Sequence, residues 1–299
     1  MKSRRWRRIF RRPRAWKLGG MGWWELARRV MKQLGKDEVL NRAAQLAYFF
    51  LFSIFPLLLF FTALFGYLVE GSEELRQELF GYLREVLPNQ AVRDLVLGTL
   101  SEIRAERGGG KLSLGLLLSL LLASNGMAAL ISALNAAFDH TETRPFWQQR
   151  LLALGLTVAF AALMIVSSAI VFYGSEIGGY LADRFGLGSL FEALWNVGIW
   201  TFLLVALLLT FDLIYNFAPN LKRRERRWLT PGAVVGVGLW LAGSLVFRIY
   251  LDHFNLYGRT YGSLGAVIVL MTWFLITGLA LLLGGEVNSE ISKAVRRRR

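Results

Sequence analysis

Six long stretches of this chain are almost free of charge: Ala43–Val69, Leu112–Phe138, Leu151–Tyr173, Leu190–Asn220, Leu229–Leu251 and Gly262–Gly285. About 20 apolar residues are enough to cross the ~30 Å hydrocarbon core of a bilayer. Inside lipid every backbone N–H and C=O needs an internal partner, which a single segment can supply only as a helix. The sequence therefore predicts an all-α, polytopic membrane protein with six transmembrane helices. The first apolar run starts only at Ala43 and exceeds the apolar core of a cleavable signal peptide, about 7–15 residues. Cysteine is absent, so the sequence offers neither a disulfide framework nor a thiolate site.

The formal net charge is +14, a value that in a soluble chain would suggest nucleic acid. Its distribution points to a membrane instead. Residues 1–42 carry fourteen Lys/Arg against three acids, and Lys222–Arg227 carries five against one. The segment after Gly285 carries five against two, whereas 70–111 has six basic residues against eight acidic ones. With six spans both termini share a side with the short loops 139–150 and 222–228, and excess Lys/Arg marks that side as cytoplasmic. Anionic inner-leaflet head groups attract such basic tails by about 1 kcal/mol per residue near the surface. Membrane lipids are thus the expected partners, and no nucleic acid is expected.

Around the membrane domain, residues 43–292, the chain divides simply. Residues 1–20 read as a basic disordered tail and 293–299 as a second basic tail. Within 21–42, Trp23, Leu26, Ala27, Val30 and Leu34 share one helical face while Arg28, Arg29 and Lys32 share the other. That pattern predicts an interfacial amphipathic helix. Segment 70–111 carries apolar residues at helical spacing on both sides of Pro88-Asn89, which predicts an extracytoplasmic helical hairpin ending in a Gly108–Gly110 linker. The small residues Gly232 and Gly236 allow close helix packing, and a homo-oligomer remains open. Pro56 removes a helix hydrogen bond in mid-span, so it predicts a kink that serves either structure or a hinge.

Polar residues inside the spans carry the functional expectation. At about 1.5 Å per residue, Asp212 lies roughly 10–15 Å above the cytoplasmic end of span four and Arg248 about 25–30 Å from the cytoplasmic end of span five. Their depths differ too much for an ion pair, so Arg248 is expected to pair structurally with Glu192. A lone carboxylate in a span costs at least ~2.5–3.5 kcal/mol and should face the bundle interior or a water-filled cavity. Ser53, Asn125 and Thr277 lie at similar depth, and Tyr215 and Asn216 share a face with Asp212. The set reads as a translocation pathway or as hydrogen-bonding glue between helices. Glu286 and Asn288 would line a cytoplasmic entrance or cap the end of span six.

Signals of catalysis are weak. His140 and His253 fall on opposite sides of the membrane, so they cannot share a metal, and the usual zinc constellations are missing. A phosphate-binding G-x-x-x-x-G-K-[ST] loop is also missing. Asp139 and Glu142 beside His140 are too few carboxylates for a two-metal nuclease. The expectation is a protein that is not an enzyme, with no metal and no cofactor.

Several separated motifs suggest a family. Arg42-Ala-Ala-Gln-Leu-Ala-Tyr48 through Ser53 and Pro56, the NFAPN of 216–220, Trp228 with Pro231-Gly232-Ala233, and YGSLGAVIVLMTWFLITGLALLLGGEVN at 261–288 occur in order. Over roughly residues 30–292 the chain resembles the YihY/BrkB family of bacterial inner-membrane proteins. Phe49 stands where that family often has a second tyrosine. The resemblance implies six spans with both termini in the cytoplasm. It also implies the old family label ribonuclease BN, and associations with virulence, serum resistance and envelope lipid export. The reading that follows is a transporter-like protein of the bacterial cytoplasmic membrane for a lipid, lipid-linked or amphipathic substrate, centred on Asp212. The alternative is a non-transporting envelope scaffold; a membrane-tethered ribonuclease ranks last.

Overall fold

The computed structural model describes residues 18–68, 109–186, 188–221, 229–253 and 263–297. The expected hairpin over 70–111 therefore lies almost wholly outside the described residues, as do the tail 1–17 and the basic block 222–228. Among the described residues a 3-10 turn, Leu18–Gly20, precedes seven helices: α1 Trp23–Lys36, α2 Val39–Leu68, α3 Gly109–Ala137, α4 Phe146–Phe185, α5 Ser189–Phe217, α6 Pro231–His253 and α7 Ser263–Arg297. Five of them, α3 to α7, are long and apolar enough to cross a membrane, and α2 is apolar over Val39–Ile54 before continuing as helix to Leu68. The molecule is a polytopic helical membrane protein.

Two helices are longer than their spans. α4 has 40 residues, about 60 Å at the usual rise. The stretch after Tyr173, where the predicted span ends, continues this helix to Phe185. Its small residues explain why: Trp195 and Ile199 of α5 lie directly over Gly178 and Gly174, and the Trp195 indole N–H donates to the Gly174 carbonyl at 2.6 Å. The helix stops at Gly186, whose φ of +60° is the left-handed cap conformation that glycine adopts without Cβ strain. α7 runs 35 residues to Arg297 because Val287, Ile291 and Ala294 find partners beyond the span. Those partners are Leu26 and Val30 of α1, with Leu18 and Met21 before it. So Leu18–Gly20 is ordered, and the apolar stripe of α1 is covered by protein at these two positions, while Trp23 and Trp24 stay exposed.

The main core gathers at one end. Ala43 and Leu46 of α2, Leu134 of α3, Ala153 of α4, Tyr215 of α5, Ala233 of α6 and Leu282 of α7 pack into one cluster. These lie near the starts of α2, α4 and α6 and toward the ends of α3, α5 and α7. The bundle is therefore tightest where α1, the 138–145 connection and residues 218–221 sit, termed here the basic end. Towards the opposite end, α4, α5 and α6 present exposed Val171, Trp200 and Leu245 outward, as lipid-facing helices do.

Candidate functional site

Asp212 answers its own puzzle in an unexpected way. It is 1% exposed and faces the start of the next helix. One carboxylate oxygen accepts the Leu229 N–H at 2.8 Å; the other accepts the Thr230 N–H and hydroxyl, both at 3.0 Å. Thr230 and Pro231 are a typical cap and first residue of a helix. Asn288 of α7 completes the arrangement, accepting the Gly232 N–H at 2.9 Å and donating to the Thr230 hydroxyl at 3.0 Å. The same hydroxyl accepts the Ala233 N–H at 3.3 Å. Every N–H from Leu229 to Ala233 thus has a partner, Pro231 having none to offer. A carboxylate at the positive end of a helix is favourably placed.

The polar layer expected around Asp212 is not assembled there. Among the described hydrogen bonds, the Ser53 hydroxyl accepts the Gly126 N–H at 2.9 Å and Asn125 accepts from Arg150. Thr277 lies between the Trp240 indole N–H at 3.1 Å and the Trp273 carbonyl at 2.9 Å. Tyr215 and Asn216 do stay with the α5 face: Tyr215 donates to the Leu281 carbonyl and Asn216 to the Asp212 carbonyl, each at 2.8 Å. Pro56 sits inside an unbroken α2. The described ion pair of Arg248 is with Asp252 on its own helix, 3.8 Å apart and well exposed; the Glu192 side chain lies outside the described residues. Asn288 belongs to the cap, whereas Glu286 is 0% exposed and both its oxygens lack a hydrogen-bond partner.

The connections at the basic end are clamped together. Glu142 accepts from the Arg144 guanidinium at 2.6 and 2.8 Å and from Asn135 at 2.8 Å, while Arg144 also donates to the Ala218 carbonyl at 2.9 Å. Asn220 of the NFAPN segment donates its backbone N–H to Asn135 at 2.7 Å. The Arg144 side chain, foremost, holds Glu142 well below the ordinary value of 4.5, at about 2. A lowered folded-state value means that this clamp contributes fully above about pH 4.5 and is lost as pH falls toward about 2. The expected result is a melting-temperature gap between wild type and Glu142→Gln that is constant near neutrality and closes on acidification below about pH 4.5. A gap that does not change with pH would remove the charge from this account.

A second polar feature lies between α2 and α3. A cleft of about 310 Å³ is lined by Arg42, Gln45 and Phe49 on one wall and by Asn125, Ala129 and Ser132 on the other. Gln45, Asn125 and Ser132 are all exposed. Polar side chains in spans usually face the bundle interior, so an outward polar stripe needs a reason. Arg42 gives its Nε to the Asp37 carbonyl at 2.9 Å, which leaves two terminal nitrogens. Arg150 fixes Asn125 from outside, donating to its Oδ1 at 2.8 Å and to the Leu121 carbonyl at 2.5 Å, so the Asn125 amide N–H groups stay free to donate. The seven residues from Arg42 to Phe49 carry the cleft about 10 Å up α2 from the basic end.

Of these residues, sequence reasoning had singled out only Asn125 as a site. Arg42, Gln45 and Phe49 at i, i+3 and i+7 are a readable stripe, and so are Asn125 and Ser132 on α3. Among the described residues no group of three or more His, Asp or Glu is placed to hold a metal.

Comparison with known proteins now adds to this picture. The family described as Virulence factor BrkB matches residues 30–299. The chain is 37% identical over 253 residues to a protein of Bacillus subtilis (strain 168) named as ribonuclease-like protein YfkH, covering 85% of this chain and 90% of that one. It is 27% identical over 269 residues to a UPF0761 membrane protein of Ralstonia nicotianae, covering 89% of this chain but 58% of the longer relative. A UPF0761 membrane protein of Pseudoalteromonas atlantica is 27% identical over 270 residues, 86% and 82% of the two chains. No solved structure matches. This chain belongs to the BrkB virulence-factor family of membrane proteins.

Proposed function

We propose that this protein handles lipids in the bacterial cytoplasmic membrane, taking an anionic head group into the α2–α3 cleft. The observation that carries the reading is the row of donors along one cleft: half-buried Arg42 with exposed Gln45, Asn125 and Ser132. Its volume is at the lower end of small-ligand sites, roughly 300–1,000 Å³. That suits a phosphate-bearing head group whose acyl chains remain in the bilayer. The basic end is read as cytoplasmic from its excess Lys/Arg, which puts the mouth of the cleft at the inner leaflet. Pro56, about two turns above Phe49, lacks the N–H that would tie it to the preceding turn and gives α2 a place to bend.

A nuclease reading finds little support at the residues that would serve it. Glu142 is engaged by Arg144 and Asn135, Asp139 is paired with Lys293 at 2.6 Å, and His140 directs Nδ1 to the Phe138 carbonyl. We therefore read the chain as non-enzymatic.

The test is transbilayer movement of head-group-labelled phosphatidylglycerol in proteoliposomes, read by quenching from outside. Wild type should move the label well above empty vesicles, and Arg42→Gln should reduce the rate by about tenfold, as expected for a lost charge-assisted contact of ~1.5–3 kcal/mol. Wild type indistinguishable from empty vesicles would favour the scaffold reading.

A further inference from the structure

We propose that Asp37 and Glu286 share one bound proton, forming a proton-binding site where α1 docks on α7. Glu286 is fully buried and neither of its oxygens has a donor; Oδ2 of Asp37 is also buried without one. Yet the Asp37 side chain lies within hydrogen-bond reach of Glu286. Two ionised carboxylates have no hydrogen to place between them. The bond this geometry permits is one in which one carboxyl holds a proton and donates it to the other, as in paired-carboxylate sites generally.

The other charged groups that act on Glu286 do not remove this need. Asp139, from the loop after α3, repels a second negative charge. Lys293, two helix turns beyond on α7, attracts it but is already engaged by Asp139 at 2.6 Å and Glu290 at 2.9 Å. From α2, Arg42 turns its Nε to the Asp37 backbone carbonyl. On α7 itself, the neighbouring Asn288 is committed to the cap of α6. A proton fits better than a metal ion, because no set of three acids or histidines among the described residues converges to hold one. The site also has a lever. Asp37 closes α1, whose Leu26 and Val30 pack on Val287 and Ile291, and its carbonyl holds Arg42. Losing the proton would set two buried charges against each other at this joint. This inference stands apart from lipid handling, since it rests on the α1–α7 contact alone.

The test uses the purified full-length protein in detergent. Infrared spectroscopy of protein carrying isotope-labelled glutamate should show, near neutral pH, the carbonyl stretch of a protonated glutamate. That band should vanish in strong alkali and be absent from Glu286→Gln. The melting temperature of wild type should fall as pH rises from about 5 to about 9, because the folded chain keeps a proton that the unfolded chain releases. Glu286→Gln, shaped like the protonated acid, should flatten that slope. The wild-type spectrum needs no variant to fold. A spectrum without a protonated glutamate band near neutral pH, or a Glu286→Gln protein with an unchanged pH slope, would overturn the proposal.

Discussion

Asp212→Ala should leave little folded protein, with a loss of several kcal/mol in stability. The substitution removes the acceptor for three donors at once, the Leu229 N–H, the Thr230 N–H and the Thr230 hydroxyl. Each buried group left unpaired costs about 1–3 kcal/mol, and the apolar core around α5 and α6 offers no substitute. Asp212→Asn should be intermediate. Its amide oxygen can still accept from Thr230, but its NH2 must then face the Leu229 N–H, donor against donor. The expected order of melting temperatures in detergent is wild type, then Asp212→Asn, then Asp212→Ala. If both variants melt like wild type and lose only transport, the carboxylate is a pathway group and not the fastening described above. A lipid assay on Asp212→Asn alone would not separate these outcomes, because the variant is not structurally neutral.

Gly284→Ala should also be strongly damaging, although it adds one methyl group. The new Cβ would run into the Tyr215 hydroxyl and the backbone carbonyl of Gly232, where α5, α6 and α7 meet. Overpacking a well-filled core costs typically about 1–3 kcal/mol, and a backbone oxygen cannot swing aside as a side chain can. Gly232 is crowded reciprocally by the Gly284 carbonyl and by Asn288. The pair Gly284→Ala with Tyr215→Phe should therefore remain unstable, since removing the hydroxyl leaves the carbonyl in place. Gly238→Ala is the control: nothing lies within 4 Å of its added Cβ, and alanine in a helix gains about 0.8–1.0 kcal/mol over glycine. Monodisperse yield and melting temperature would decide. A Gly284→Ala protein as stable as Gly238→Ala would contradict this packing.

Much of the architecture was legible because lipid leaves so few options. A charge-free run of sufficient length has to be a helix, and all six runs are. The ends were harder. Nothing in the composition of 174–185 separates an acidic loop from a helical extension; what decides is Trp195 sitting on Gly178, a contact between distant residues. Likewise α7 outlives its span only because α1 folds back to cover Val287 and Ile291. Thr230-Pro231 could have been read as a helix start, but the cap comes from Asp212, eighteen residues earlier, and from Asn288, fifty-eight later. A depth count along one helix cannot find such partners. The cleft was half visible: Asn125 stood out for its polarity, while Arg42 and Gln45 entered only as part of a family motif, because polarity near a span end is ordinary.

The most direct test of the central claim is native mass spectrometry of the detergent-purified protein titrated with phosphatidylglycerol or phosphatidylcholine. A head-group site at Arg42 predicts preferential retention of the anionic lipid. Arg42→Gln should lower that retention about tenfold, in line with ~1.5–3 kcal/mol for a charge-assisted hydrogen bond. Arg29→Gln, on α1 away from the cleft and paired with Glu25 at 2.7 Å, should leave it unchanged. Equal retention of the two lipids, or an Arg42→Gln protein that holds phosphatidylglycerol as wild type does, would contradict the account.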